Sequence, residues 1–215
     1  MRVFALIKKD IFLVKKYLLI ILAISVAFPI FIFYNASSLM GVSSFLITVI
    51  FSVYMALQSV SLAETKYPKA EALLCSTPYI RKYVVIARYL FFLIIFTLTT
   101  VIYQIVVVFL PDAKMLAVND ITTSLLIGSI LLGVYLPLQY KLGYEKMKYL
   151  LMIIIMLTPF SLPYIVEWLS TSNIDLSFID NISAVIKSIV SVIIALVFHV
   201  LSIVVSIKIY NSKEL

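Results

Sequence analysis

The sequence predicts an all-α polytopic membrane protein. It has six transmembrane helices, an N-terminal amphipathic interfacial helix and a short charged helix between spans two and three. Three observations predict this. The chain is 64% hydrophobic and 13% charged over 215 residues, whereas a soluble domain is nearer half apolar and a quarter charged. Its apolar residues gather into six stretches, each long enough to cross a hydrocarbon core of roughly 30 Å, which takes about 20 residues. Its basic residues concentrate in the segments between alternate stretches. A net charge of +7 would point to nucleic acid in a soluble chain; here it reports orientation, and no nucleic-acid partner is expected.

Residues 1–16, MRVFALIKKDIFLVKK, carry Arg2, Lys8, Lys9, Lys15 and Lys16 against Asp10. Val3, Phe4, Ile7, Ile11 and Val14 line one helical face. Such a basic amphipathic helix lies in the interface, lysines toward anionic headgroups. A signal peptide is the alternative, opposed by the long charged region and the further spans that follow.

Residues 17–215 form the membrane domain, with spans near 17–34, 39–62, 83–110, 121–140, 149–168 and 182–207. At the start of the third, Arg88 is expected to snorkel back to the interface. Lysines and arginines fill the N-terminus, the 64–88 segment, the 141–148 loop and the tail, leaving only Lys114 and Lys187 on the other side. By the positive-inside rule both termini and both basic loops are cytoplasmic. Pro29, Pro137, Pro159 and Pro163 interrupt spans and predict kinks. The last two predict a break in the outer half of the fifth span.

Polar residues within the spans are few. Gln58 and Gln104 are candidate cavity residues, as is Glu167, whose other reading is an interfacial carboxylate beside Trp168 in the aromatic belt. His199 reads as a neutral imidazole bonded to a neighbouring helix.

The longest strongly charged segment runs from Glu64 to Arg88. Pro68 suits the first position of a helix, where a missing N–H costs nothing. Glu71 then falls in the first turn, on the positive end of the dipole, and Pro78 ends the helix. About two turns result, roughly 13 Å at 1.5 Å per residue, with Ala70, Leu73 and Leu74 on one face. The helix either plugs into a soluble partner or lies flat in headgroups; the residues leave both open. Cys75 reads as a small apolar residue on it, and a single cysteine excludes an intrachain disulfide and a multi-cysteine metal site.

Enzymatic motifs are missing. Gly128 and Gly133 have the glycine spacing of a P-loop, but Val134 and Tyr135 follow where Lys and Ser/Thr are needed. One histidine cannot make a zinc protease site, and no Gly-x-Ser-x-Gly elbow occurs. The chain itself is not expected to be an enzyme or to bind a cofactor.

Three stretches resemble the membrane subunits of type-2 ABC exporters, in the branch that includes the phenol-soluble modulin and bacteriocin-immunity permeases. They are Lys9-Asp10 and Lys15-Lys16 running into the first span; Glu71, Leu73, Leu74, Ser76 and Pro78 through Arg81 and Lys82 to Arg88; and Pro137 through Tyr140, Lys141, Gly143, Glu145 and Lys146. Thr77, Ile80 and Leu142 depart from the usual residues. The resemblance implies a permease in a bacterial plasma membrane, paired with a second six-span subunit, identical or closely paralogous. A separate ATPase on the cytoplasmic face would hold ATP and Mg. Residues 64–82 would be its coupling loop, with Lys69, Glu71, Leu73, Leu74, Ser76, Pro78, Arg81 and Lys82 at the contact. Lys141, Gly143, Glu145 and Lys146 would form the second cytoplasmic loop. A cavity without fixed charge would suit amphipathic or hydrophobic cargo such as peptides. An ATPase-independent channel or membrane scaffold is the alternative.

Overall fold

In lipid each backbone group must find its partner within its own segment, so long apolar runs fold as helices. The structure, a computed structural model, describes residues 2–36, 39–66, 81–111, 113, 115–171 and 183–212. They form helices α1 (Arg2–Asn35), α2 (Val42–Lys66), α3 (Arg81–Val108), α4 (Val118–Leu142), α5 (Tyr144–Thr171) and α6 (Ala184–Asn211). Five of these, α1 to α4 and α6, are long and apolar enough to cross a membrane. The fifth in chain order, α5, has the length, at 28 residues.

The basic N-terminal segment runs into the first span without interruption: α1 is one helix of 34 residues, about 51 Å long at 1.5 Å per residue. Lys15-Lys16-Tyr17 contains no breaker, and a single buried stripe of Leu6, Ile7, Asp10, Val14, Ile21 and Ser25 continues through it. Phe4, expected on the apolar face turned to lipid, is 78% exposed.

Two prolines leave a carbonyl without its helical donor four residues back. Pro29 frees Ser25 C=O, and α1 continues past it. Beside it the Ser25 hydroxyl donates to Ile21 C=O at 2.8 Å and meets Ser52 Oγ of α2 at 3.1 Å. Pro137 frees Gly133 C=O, which accepts the Ser202 hydroxyl of α6 at 2.6 Å. The helices are close at this point, since a Cβ on Gly133 would lie in van der Waals contact, 3.5 Å from both Phe198 and Ser202. Tyr89 of α3 extends the chain of bonds, its hydroxyl meeting Ser202 and, at 3.0 Å, Ser206. At Pro159 and Pro163 the expected break is absent: α5 is helical from Tyr144 through Thr171.

Gly143 separates α4 from α5. Its φ of 84° with ψ of 167° lies where side-chain-bearing residues are strained. Its N–H caps Gln139 C=O at 2.9 Å.

The bundle has two tightly packed groups, α1 with α2 and α3, and α4 with α6. α2 and α3 join them, while α5 rests on α2 and α4. At one end Tyr103 of α3 bonds Gly41 C=O at 3.1 Å and the Ser44 hydroxyl. The opposite end gathers the basic segments.

Candidate functional site

At the basic end three helices bring four charges together. Arg88 Nη2 of α3 lies 2.7 Å from Glu64 Oε2 of α2. Lys9 Nζ of α1 lies 3.3 Å from Glu64 Oε1 and 3.2 Å from Asp10 Oδ1. Each oxygen of Glu64 therefore holds a different cation, and the charges of the cluster cancel. Arg88 is 4% exposed and Asp10 3%, which corrects the expectation that Arg88 snorkels to the interface. Extraction of a charge from water costs several kcal/mol, so these groups persist in the interior only as partners. Glu64 stands near the negative C-terminal end of the α2 dipole, where a carboxylate is disfavoured on its own; two cations offset this.

Three polar atoms in this region are buried without a hydrogen bond: Asp10 Oδ1, Arg88 Nη1 and the Tyr140 hydroxyl of α4. For Asp10 Oδ1 the contact with Lys9 is an ion pair rather than a directed bond. The Tyr140 ring packs against that of Tyr210 of α6 in a tilted arrangement, centres 5.0 Å apart.

These roles have a sequence signature. Asp10 stands three residues after Ile7 and four before Val14, inside the buried stripe of α1. Glu64 extends Val53, Leu57 and Val60 in the same way, and Arg88 falls between buried Val85 and Phe92. A charge in register with an apolar stripe is a buried charge and needs a partner.

Lys69, Glu71, Leu73, Leu74, Ser76 and Pro78 lie outside the described residues. The helix ends that bracket them are Lys66 and Arg81, so the charge cluster stands at the base of that segment. Lys82 is exposed, its ammonium 5.3 Å from the Tyr83 ring centre. Lys141, Glu145 and Lys146 are exposed around Gly143.

The remaining candidates separate. Gln58 Nε2 donates to the Tyr144 hydroxyl at 3.5 Å, and Gln139 Nε2 donates to the Ser61 hydroxyl at 2.5 Å. These bonds tie the last turns of α2 to the α4–α5 corner. Gln104 uses both ends of its amide on the Leu116 backbone, at 3.1 and 3.3 Å, and so fastens the loop before α4. The Glu167 side chain lies outside what is described. His199 Nδ1 contacts Ala195 C=O of its own helix at 3.3 Å, not a neighbouring one, and the ring lies between Tyr89 and Phe92. A carbonyl partner requires the proton on Nδ1.

Beside the corner, α2, α4 and α5 enclose an apolar groove of about 190 Å³ that reaches Phe92 of α3. Among the described residues no group of three or more His, Cys, Asp or Glu could hold a metal.

A family profile described as ABC-2 family transporter protein matches residues 5–211, nearly the whole chain. The chain belongs to the ABC-2 transporter family. It is a permease subunit of an ABC transporter, and that membership implies an ATPase partner and a membrane setting. No curated protein and no solved structure matches the chain. The buried charges lie at the end of the bundle that carries Lys66, Arg81 and the Gly143 corner, where a single residue rather than the expected loop separates α4 from α5.

Proposed function

We propose that this ABC-2 permease is half of the membrane part of an ATP-driven exporter, pairing with a second six-span subunit, identical or closely paralogous. The ATPase docks on the cytoplasmic face, where both termini lie, and supplies ATP and Mg. Residues 64–82 form the coupling loop, its helix running from Pro68 to Thr77, and Leu73 and Leu74 anchor it in the ATPase. The branch is that of the phenol-soluble modulin exporters, and the cargo is amphipathic or hydrophobic, peptides included. The observation that carries this reading is the Lys9–Asp10–Glu64–Arg88 cluster. A segment that must transmit force needs a stiff base, and this cluster joins three helices within two turns of the segment's ends. The ties from Gln58 and Gln139 extend the same base to the α4–α5 corner.

Co-purification with a P-loop ATPase and its turnover test the proposal. Leu73→Asp should reduce both, because a buried leucine anchor is worth about 1.5–3 kcal/mol and a buried unpaired carboxylate costs more. Glu71→Lys should weaken assembly less and in a salt-dependent way, as a rim charge does. A Leu73→Asp chain that binds and stimulates the ATPase like wild type would remove the coupling role. Failure of the wild-type chain to retain any ATPase would favour a channel or scaffold.

A further inference from the structure

Two contacts fix how α4 and α6 run beside each other. Ser202 meets Gly133 C=O, 69 residues away in sequence, and the Tyr210 ring packs on Tyr140. The two helices are therefore parallel, and the same offset sets Ser129 level with His199. Helix α3 closes the third side. The Phe92 ring centre lies 5.5 Å from that of His199, and Phe92 Cζ would stand 3.4 Å from a Cβ on Gly128. Between the three helices is a cavity of about 180 Å³, with Ser129, Ala195 and His199 in its lining beside apolar Leu93, Leu125 and Ile203.

Ser129 Oγ and His199 Nε2 are both buried without a hydrogen bond. The residues themselves are 1% and 8% exposed. The histidine proton is on Nδ1, facing Ala195 C=O, so Nε2 is an acceptor that lacks a donor. The hydroxyls around it have no proton to spare. Ser202 gives its single proton to Gly133 C=O. Its contact with Tyr89 therefore uses the Tyr89 proton, and the contact of Tyr89 with Ser206 uses that of Ser206. Ser129 holds an uncommitted proton, yet it makes no bond to Nε2. A single O–H group between the two would satisfy both, accepting from Ser129 and donating to Nε2. An anion would find one donor and repel the Nε2 lone pair, and a cation would bring charge to a lining that has no carboxylate.

Size and access set what can carry that O–H group. A cavity of about 150 Å³ holds benzene, so this one has room for a ring as well as for water. It borders Leu196 and Val200, which are 58% and 59% exposed on the outside of the bundle. We infer that the cavity between α3, α4 and α6 is a binding site for a small neutral O–H compound, water or a phenol-sized alcohol, that bridges Ser129 to His199. The bridge ties α4 to α6 one turn from the bond between Ser202 and Gly133. It goes beyond the export reading and requires neither ATPase nor cargo.

The test uses the full chain labelled with 15N-histidine in nanodiscs of phosphatidylcholine, a lipid whose headgroup carries no O–H. His199 is the only histidine, so the ring-nitrogen signals are its alone. Nδ1 should be protonated, and Nε2 should resonate as a hydrogen-bonded imine nitrogen. In Ser129→Ala the bridging molecule still donates, so Nε2 should stay hydrogen-bonded, whereas a direct bond from Ser129 would vanish with its hydroxyl. If that chain does not accumulate, Ser129→Gly is read in the same way. Titration with 4-fluorophenol separates the two sources. A saturable displacement of the Nε2 signal, with fluorobenzene binding about three- to tenfold more weakly for want of a hydroxyl, identifies an alcohol or phenol. No response, with Nε2 hydrogen-bonded in both chains, identifies water. A free-imine Nε2 that 4-fluorophenol does not move, loss of its hydrogen bond in Ser129→Ala, or a proton on Nε2 would overturn the inference. None of these readings bears on co-purification with an ATPase, which judges the export reading separately.

Discussion

The charged side chains of the cluster are unequal in their surroundings, and the inequality sets what substitution does. Arg88 is buried, whereas the Glu64 side chain is 28% exposed. Arg88→Leu leaves a carboxylate facing the interior without its main partner and should destabilise the subunit by about 3–5 kcal/mol. Adding Glu64→Leu should recover most of that, because replacement of a whole buried pair by apolar residues is often neutral or better. Thermal unfolding of the purified chain in detergent reads both; a double variant as unstable as the single one would show that Glu64 does not neutralise Arg88. Ser202 makes a neutral bond of a different kind. Its hydroxyl satisfies the carbonyl that Pro137 leaves free, and bonds between membrane helices average about 0.6 kcal/mol. An unpaired buried carbonyl costs about 1–3 kcal/mol. Ser202→Ala should therefore fall near 1–2 kcal/mol in the same measurement, and no change would mean that the carbonyl finds another donor.

At the scale of elements, composition and spacing made the helices legible. Their ends depended on single residues: Gly143, with φ of 84°, is the hinge without which α4 and α5 would merge. Gly143→Ala should cost about 1–3 kcal/mol and loosen the contact of Gln58 with Tyr144, read as a loss of disulfide formation between cysteines placed at those two positions. Efficient crosslinking in the alanine chain would show that the corner does not depend on the glycine conformation. Proline was the misleading signal. The spacing predicts breaks at Pro159 and Pro163, yet α5 is continuous; at Pro137 the reason is visible, since a neighbouring helix supplies the missing donor. The basic segment of residues 1–16 and the first span share one helix, because adjacent lysines polarise a helix without breaking it.

For the whole molecule, the crowding of basic residues in alternate loops predicts the orientation. Cysteines introduced at Ser37 and Ser172 should react with an impermeant thiol reagent in intact cells, while Cys75 should not. Labelling of Cys75 from outside would reverse the topology. The sequence by itself determined the class, the run of helices, the polarity of the two ends and, through motifs such as Glu71–Pro78 and Pro137–Lys146, the family that the profile over residues 5–211 establishes. All of these depend on composition or on neighbours a few residues apart. Only the tertiary structure decided that Arg88 is buried against Glu64, that Gly133 receives Ser202 from 69 residues away, and that Gln58 of α2 reaches Tyr144 of α5. The physical reason is that charge, hydroxyl and amide groups acquire their roles from the partners facing them, and in a bundle those partners come from other helices whose rotation and register are set by packing along their full length.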